Sequence, residues 1–369
     1  MRLFIGQALV ISGITELSLL YPVEVYDETK SILILGIVSM IFNAANAFGS
    51  YIWGNILDTI KRRKEFLFLL PISLIPCSIL LFSGSIILGF IGYGLLGFVY
   101  AIDAPLYSIL LLENFTFEEL PKANIRLSQF TLAGNISGSL LAIFKPNFEI
   151  ITFVFLIAFV SNVLFIRNVT GSITRDKTEE RKEVKNKLYA ILSFFSFNFA
   201  AEIFFTIYIP FNYIMGNPEY FIFASYALLY IVDEIFYYFS SKIIINREIY
   251  YIYLIIFIRA VISIGISILI LSKLKIGMLS IPLFLSFGSI YPIYSASFFS
   301  VMFRNLKKNR GTIIGIFNAV EDIASILGSL TAGIIGNNLD NAYMAIFYSF
   351  ILSAFLFANY LRKILASSV

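Results

Sequence analysis

Long apolar runs, each about the length of a membrane-crossing helix, alternate along the chain with short polar connectors. An α-helix rises about 1.5 Å per residue, so about 20 apolar residues cross the hydrocarbon core of a bilayer. The pattern therefore predicts an all-α integral membrane protein with twelve transmembrane helices. The predicted spans are Leu3–Tyr21, Ser31–Leu57, Phe66–Phe82, Ile86–Leu112, Ile125–Phe144, Ile150–Ile166, Leu188–Tyr213, Tyr220–Ile245, Tyr250–Leu271, Met278–Phe303, Thr312–Ile335 and Ala342–Leu361.

The basic residues support this arrangement, because the cytoplasmic loops of membrane proteins are enriched in Lys and Arg. With the N-terminus placed in the cytoplasm, most of the 27 Lys and Arg residues fall on the cytoplasmic side. The lysines assigned to outer connectors are Lys30, Lys145, Lys273 and Lys275. The sequence therefore predicts a multi-pass protein of the cell membrane whose N- and C-termini are both cytoplasmic.

Composition limits the functions that this chain can perform. It is 59% hydrophobic and only 14% charged, whereas a soluble domain is about a quarter charged. The chain has no His and only one cysteine, Cys77, so imidazole catalysis and thiol metal clusters are excluded. We expect no enzymatic activity, no cofactor or metal and no nucleic-acid partner. The expected partners are the lipid bilayer, a small-molecule substrate and protons, with the protein a monomer.

The chain divides near its middle into two similar halves. Residues 168–187 form a long connector of mixed charge without apolar periodicity, predicted to be a cytoplasmic linker. It separates an N-terminal bundle, residues 1–167, from a C-terminal bundle, residues 188–369. Ala104-Pro105-Leu106-Tyr107-Ser108 matches Tyr291-Pro292-Ile293-Tyr294-Ser295, and the stretch around Gly138 matches the stretch around Gly328. Parallel six-span repeats of this kind are a known transporter architecture.

Three prolines are predicted to bend the helices that contain them, because a proline removes a backbone donor from the helix. They are Pro105, Pro210 and Pro292. Pro105 and Pro292 are equivalent in the two halves and are interpreted as hinges.

The connector between the second and third spans carries the most specific motif. It reads Gly54-x-x-x-Asp58-x-x-Lys61-Arg62-Arg63-Lys64. With the twelve-span duplicated pattern, it resembles the signature loop of the major facilitator superfamily, although Thr59 and Lys61 depart from the usual form. The resemblance implies two pseudo-symmetric six-helix bundles, and it implies that Asp58 docks on the start of the eleventh span.

Elementary chemistry assigns further roles in this loop. Gly54 is expected to allow close approach of helix backbones. Lys61, Arg62 and Arg63 are expected to hold the loop at the anionic inner leaflet. The predicted role of the whole loop is a latch between the halves.

Charged residues within the spans are the main candidates for function, because a charge at membrane depth is costly unless it is paired or wet. The rise of a helix places most of them in the middle third of the bilayer. They are Glu16, Asp103, Glu202, Asp233, Glu234, Arg259, Glu321 and Asp322. So many acids around one Arg cannot all stay ionised, and some must hold protons.

Specific pairings are expected among these residues. Glu16 and Glu202 are predicted to be pseudo-symmetric partners that handle protons or substrate together with Asp103, since the resemblance implies that spans one, four and seven line a central cavity. Arg259 is predicted to pair with Asp233 or Glu234, which lie at matching depth on the preceding span. The alternative is that these groups only tie helices together.

These features favour a secondary active transporter that moves a small molecule by alternating access. Proton coupling is expected from the buried acids, and the acidic interior favours a cationic or neutral substrate. Export of an organic cation or neutral compound is the leading expectation. A sugar or metabolite uptake symporter or facilitator stays open as an alternative. A receptor or scaffold on the same fold that does not transport is the alternative of another class.

Overall fold

The computed structural model describes residues 2–60, 63–116, 119–165, 187–243, 247–303 and 310–367. Regular structure in these ranges is helical, because a backbone in lipid must satisfy its hydrogen bonds within each segment. The α-helices are α1 (Arg2–Thr29), α2 (Ile32–Thr59), α3 (Phe66–Leu81), α4 (Ile86–Tyr100), α5 (Asp103–Asn114), α6 (Leu120–Ile143), α7 (Phe148–Phe165), α8 (Leu188–Ile214), α9 (Tyr220–Ile243), α10 (Glu248–Leu271), α11 (Ser280–Gly288), α12 (Tyr291–Phe303), α13 (Arg310–Ile335) and α14 (Leu339–Ser367).

Ten segments of the described chain are long and apolar enough to cross a membrane. Two of them contain a pair of helices: Ile86–Leu111 holds α4 and α5, and Gly277–Met302 holds α11 and α12. The helix α7 is apolar but shorter, and α6 is not among the ten. The all-α prediction is confirmed, whereas twelve crossings and two six-helix bundles stay a prediction.

The chain splits into two compact units that differ from the predicted halves at two short segments. Unit 1 comprises Met1–Glu28, Ile41–Asp176 and Tyr226–Ile231, and unit 2 comprises Thr29–Met40, Lys177–Ser225 and Val232–Val369. The start of α2 thus groups with unit 2 and a short piece of α9 with unit 1. The predicted linker, apart from Lys187, lies outside the described residues.

Each unit has its own helix packing. In unit 1, α3 packs against α4 and α7. In unit 2, α8 packs against α13 and α14, and α10 packs against α12 and α14. Large apolar side chains remain exposed along the helices, such as Phe153 at 62%, Leu164 at 64% and Phe355 at 61%. Such exposure suits a surface that faces lipid.

Two helix breaks occur at the prolines predicted to be hinges. The break between α4 and α5 precedes Pro105, and the break between α11 and α12 precedes Pro292. Because proline has no N–H, the carbonyl four residues earlier lacks its usual helical donor. This carbonyl belongs to Ala101 for Pro105 and to Gly288 for Pro292. At Pro210 no break occurs, because α8 continues to Ile214; the predicted bend at Pro210 stays a prediction.

Candidate functional site

Among the described acids of unit 1, Glu16 has the lowest exposed fraction. It lies in the middle of α1 with 0% of its surface exposed, among apolar neighbours on the same helix such as Ile14 and Leu17. Within the described part of the chain, neither of its carboxylate oxygens has a hydrogen-bond partner. Glu16 is therefore an acid whose charge no described residue compensates.

Asp103 occupies the first position of α5, directly after the helix break. Its Oδ2 accepts a hydrogen bond of 3.2 Å from Gln7 Nε2 of α1, and both side chains are buried. Asp103 Oδ1 and Gln7 Oε1 have no partner among the residues that the structure describes. Gln7 was not predicted from the sequence, although an amide within an apolar run was a signal that could have identified it.

The contacts of two equivalent glycines correct the predicted pairing of Glu16 with Glu202. A Cβ placed on Gly138 of α6 would contact atoms of α1, among them the carbonyl oxygen of Ser12, and Thr15 Cβ at a distance of 2.9 Å. A Cβ placed on Gly328 of α13 would meet Phe199 O at 2.9 Å and Glu202 Cβ at 2.8 Å.

Each glycine thus packs against two residues three positions apart on the neighbouring helix. These contacts make Thr15 the structural counterpart of Glu202, and Glu16 the counterpart of Ile203, which is also 0% exposed. The predicted pairing was therefore wrong by one residue.

Arg259 of α10 is completely buried in unit 2. Its Nε donates to Phe287 O at 2.8 Å, and its Nη2 donates to Gly288 O at 3.3 Å. Its Cζ lies over the rings of Phe197 and Phe287, at 4.7 and 4.6 Å from their centroids. Nη1 has no hydrogen-bond partner in the described chain.

The predicted ion pair of Arg259 with Asp233 or Glu234 was wrong. Among the described residues, no carboxylate lies within ion-pair distance of its guanidinium. The carbonyls at the end of α11 take that place, because Pro292 cannot donate to Gly288 O and the helix break exposes Phe287 O. Asp233 acts on Arg259 only through space.

The candidate acids of unit 2 lie on α8, α9 and α13. Tyr291, the first residue of α12, donates a hydrogen bond of 3.1 Å to Glu321 Oε1, and its ring lies 5.8 Å from Arg259 Cζ. Asp233 Oδ1 is buried without a partner among the described residues. Glu202 packs against Gly328, while Glu234 and Asp322 are partly buried.

The predicted latch loop is only partly described. Lys61 and Arg62 lie outside the described residues, and so does the side chain of Asp58. A Cβ placed on Gly54 would meet no described atom within 4 Å, so the expected close backbone approach is not present there.

Arg63 is engaged within unit 1 rather than held free at the leaflet surface. It forms an ion pair with Glu113, near the end of α5, and its Nε donates to Leu57 O at 2.6 Å. The sequence alone did not predict Glu113 as the partner of Arg63.

Metal ligands are not grouped in the described residues: no three or more His, Cys, Asp or Glu side chains there are arranged to hold an ion. The candidate residues fall in both units. Glu16 and Asp103 lie in unit 1, and the other six lie in unit 2. Their predicted convergence on one chamber stays a prediction.

Comparison of the sequence with known protein families identifies the family of this chain. Residues 3–329 match the family profile of the Major Facilitator Superfamily. The chain belongs to the Major Facilitator Superfamily. The expected family is thereby confirmed, and membership of the superfamily indicates a transporter. No curated protein matches it.

Solved structures of Major Facilitator Superfamily transporters resemble the fold over nearly all of the chain. A bacterial homologue of the iron transporter ferroportin in an inward-facing state has a TM-score of 0.73 at 16% identity, with 97% of each chain covered. A bacterial homologue of the human lysosomal transporter Spinster has a TM-score of 0.73 at 10% identity, covering 98% of this chain and 96% of that one.

A third similar structure is an auto-inhibited peptide transporter of the POT family. Its TM-score is 0.72 at 12% identity, covering 100% of this chain and 96% of that one. At these identities, the likeness shows the fold alone.

Proposed function

We propose that this superfamily member is a secondary active transporter that couples movement of a small organic solute to protons by alternating access. The observation that carries the proposal is Glu16, which is fully buried with no hydrogen-bond partner in the described chain for either oxygen. An ionised carboxylate in such a place costs several kcal/mol, on the order of the penalty for a buried unpaired charge.

Protonation removes that cost because it neutralises the carboxyl group. Exposure to water stabilises the carboxylate again, so that the proton can leave. Glu16 therefore binds a proton when it is sealed from water and gives it up when it is wet. Acids at the depth of a bilayer commonly form such proton relays in transporters. The buried pair of Gln7 and Asp103 supplies a second carboxyl in the same unit.

Proteoliposomes with an imposed proton gradient test this proposal. Wild-type protein is expected to accumulate a solute against its gradient and to acidify or alkalinise the lumen as it does so. Glu16→Gln removes the ionisable group while preserving size, so it should abolish gradient-driven accumulation and leave solute exchange intact. Glu149→Gln, an exposed acid at the start of α7, is the matched control.

The alternatives give different results in the same experiment. A facilitator would exchange solute without responding to the proton gradient, and a receptor would show no flux for any solute. Accumulation by Glu16→Gln equal to that of wild type would refute the role of Glu16. We also propose a monomeric, multi-pass protein of the cell membrane with both termini in the cytoplasm.

A further inference from the structure

Two groups of opposite charge lie buried in unit 2 without hydrogen-bond partners among the described residues: Arg259 Nη1 and Asp233 Oδ1. They interact electrostatically through space, yet they do not form an ion pair. A buried charged donor or acceptor that lacks a partner is strongly unfavourable. The two groups therefore have unused hydrogen-bonding capacity that a ligand carrying both charges can satisfy.

The chemistry of the guanidinium defines what its edge without a hydrogen-bond partner can bind. Nε and Nη2 lie on one edge of the planar group, and the carbonyls of Phe287 and Gly288 occupy that edge. Nη1 and the second N–H of Nη2 form the other edge. Two parallel N–H groups on such an edge match a carboxylate bidentately.

The surrounding charges decide what else the ligand must carry. Glu321 is held by Tyr291 beside the guanidinium, and the carboxylates of Asp233, Glu234 and Glu321 all act on the phenol of Tyr237. A purely anionic solute would meet repulsion from these acids. A solute with a cationic group as well would find an acceptor in Asp233.

We propose that unit 2 binds a small zwitterionic solute, with its carboxylate on the edge of Arg259 that carries Nη1 and its ammonium group on Asp233. An amino acid or a short peptide has this chemistry. The assignment rests on the proposed function, because it names the substrate class of that transporter. It replaces the organic cation or neutral compound that the acidic sequence favoured.

Thermal-shift binding with the purified full-length protein in detergent tests the ligand side of this proposal. The probes are the common amino acids and glycine-containing dipeptides, each with its carboxamide and its deaminated acid. At least one zwitterion is expected to stabilise the wild-type protein. Both of its truncated analogues should bind about tenfold or more weakly, since each loses one charge-assisted contact.

Variants test the protein side. Arg259→Lys keeps the charge but loses the planar fork, so it should weaken binding of the zwitterion about tenfold or more while binding of the carboxamide stays unchanged. Asp233→Asn should remove the difference between the amino acid and its deaminated acid. Asp340→Asn, an acid at the start of α14 in the same unit, is the matched control and should bind like wild type.

The outcomes separate this site from proton coupling, because the binding assay needs no gradient. If no probe stabilises the wild-type protein, or if carboxamides bind as well as zwitterions, the assignment is overturned. If Arg259→Lys does not fold, the comparison of ligands on the wild-type protein still tests the assignment. Zwitterion binding without proton-driven flux would instead refute the coupling and leave the site standing.

Discussion

At the scale of single residues, two glycines show how tightly the helices pack. Gly138 of α6 lies so close to Ser12 O of α1 that a methyl group cannot fit without movement of the backbone. Gly265 of α10 offers the opposite case, because a Cβ placed there meets no described atom within 4 Å. Small residues at such crossings let helix backbones approach closely in membranes.

Replacing Gly138 with alanine is predicted to destabilise the protein by about 1–3 kcal/mol, the usual cost of overpacking. Gly265→Ala should be neutral or stabilise by up to about 1 kcal/mol, because alanine favours a helix over glycine. Thermal unfolding in detergent measures both variants. Equal melting temperatures for the two would mean that α1 and α6 can separate without cost at this crossing.

Residue-level roles were the least predictable part of the site. The sequence placed Glu16, Asp103 and Arg259 at membrane depth, and the structure buries all three. The sequence suggested that Glu16 and Glu202 are equivalent, because both are acids at similar positions. The packing of α6 on α1 and of α13 on α8 instead makes Thr15 equivalent to Glu202. That register depends on contacts between helices, which a single sequence does not contain.

At the scale of elements, the two broken helices were predictable and their consequence was not. Proline removes a donor wherever it stands, so the breaks before Pro105 and Pro292 followed from the sequence. The sequence did not reveal that the side chain of Arg259 replaces the missing donors at the end of α11. From the sequence, an acid on the preceding helix was the expected ion-pair partner of the buried Arg259. Backbone carbonyls as its hydrogen-bond acceptors were not expected.

This arrangement predicts an energetic coupling between Arg259 and Pro292. In Pro292→Ala, the new N–H can bond Gly288 O, so Arg259→Lys should cost about 1 kcal/mol less there than in the wild-type background. A double-mutant cycle by chemical or thermal unfolding measures the difference. Pro105→Ala is the matched control, because its break lies in unit 1 and should be additive with Arg259→Lys. Additivity in both backgrounds would contradict the proposed replacement of donors.

At the scale of the whole molecule, hydrophobicity and charge predicted the class of protein, because lipid leaves a chain few ways to satisfy its backbone. The segments that did not meet the length or hydropathy of a span are α6, which carries Lys122 and Arg126 near its start, and α7, which is short. The number of crossings therefore depends on these two helices.

Cysteine labelling in intact cells tests both the crossings and the orientation. The only native cysteine, Cys77, is 1% exposed, so the wild-type protein should not react with a membrane-impermeant maleimide. If α6 and α7 both cross, Glu149→Cys at the start of α7 should be labelled from outside. The exposed Lys275→Cys should be labelled as well, whereas Lys122→Cys should react only after permeabilisation.

Each deviation from this pattern has its own meaning, because the positions differ in the number of helices that separate them. Lys122 and Glu149 are separated by α6 alone, so their labelling from the same side would remove α6 from the spans. Lys122 and Lys275 are separated by five predicted crossings, so the same result for that pair would show an even number between them. If only Lys122→Cys were labelled in intact cells, the orientation of the whole protein would be the reverse of the predicted one. The excess of Lys and Arg would then face outside, against the usual preference for the cytoplasm.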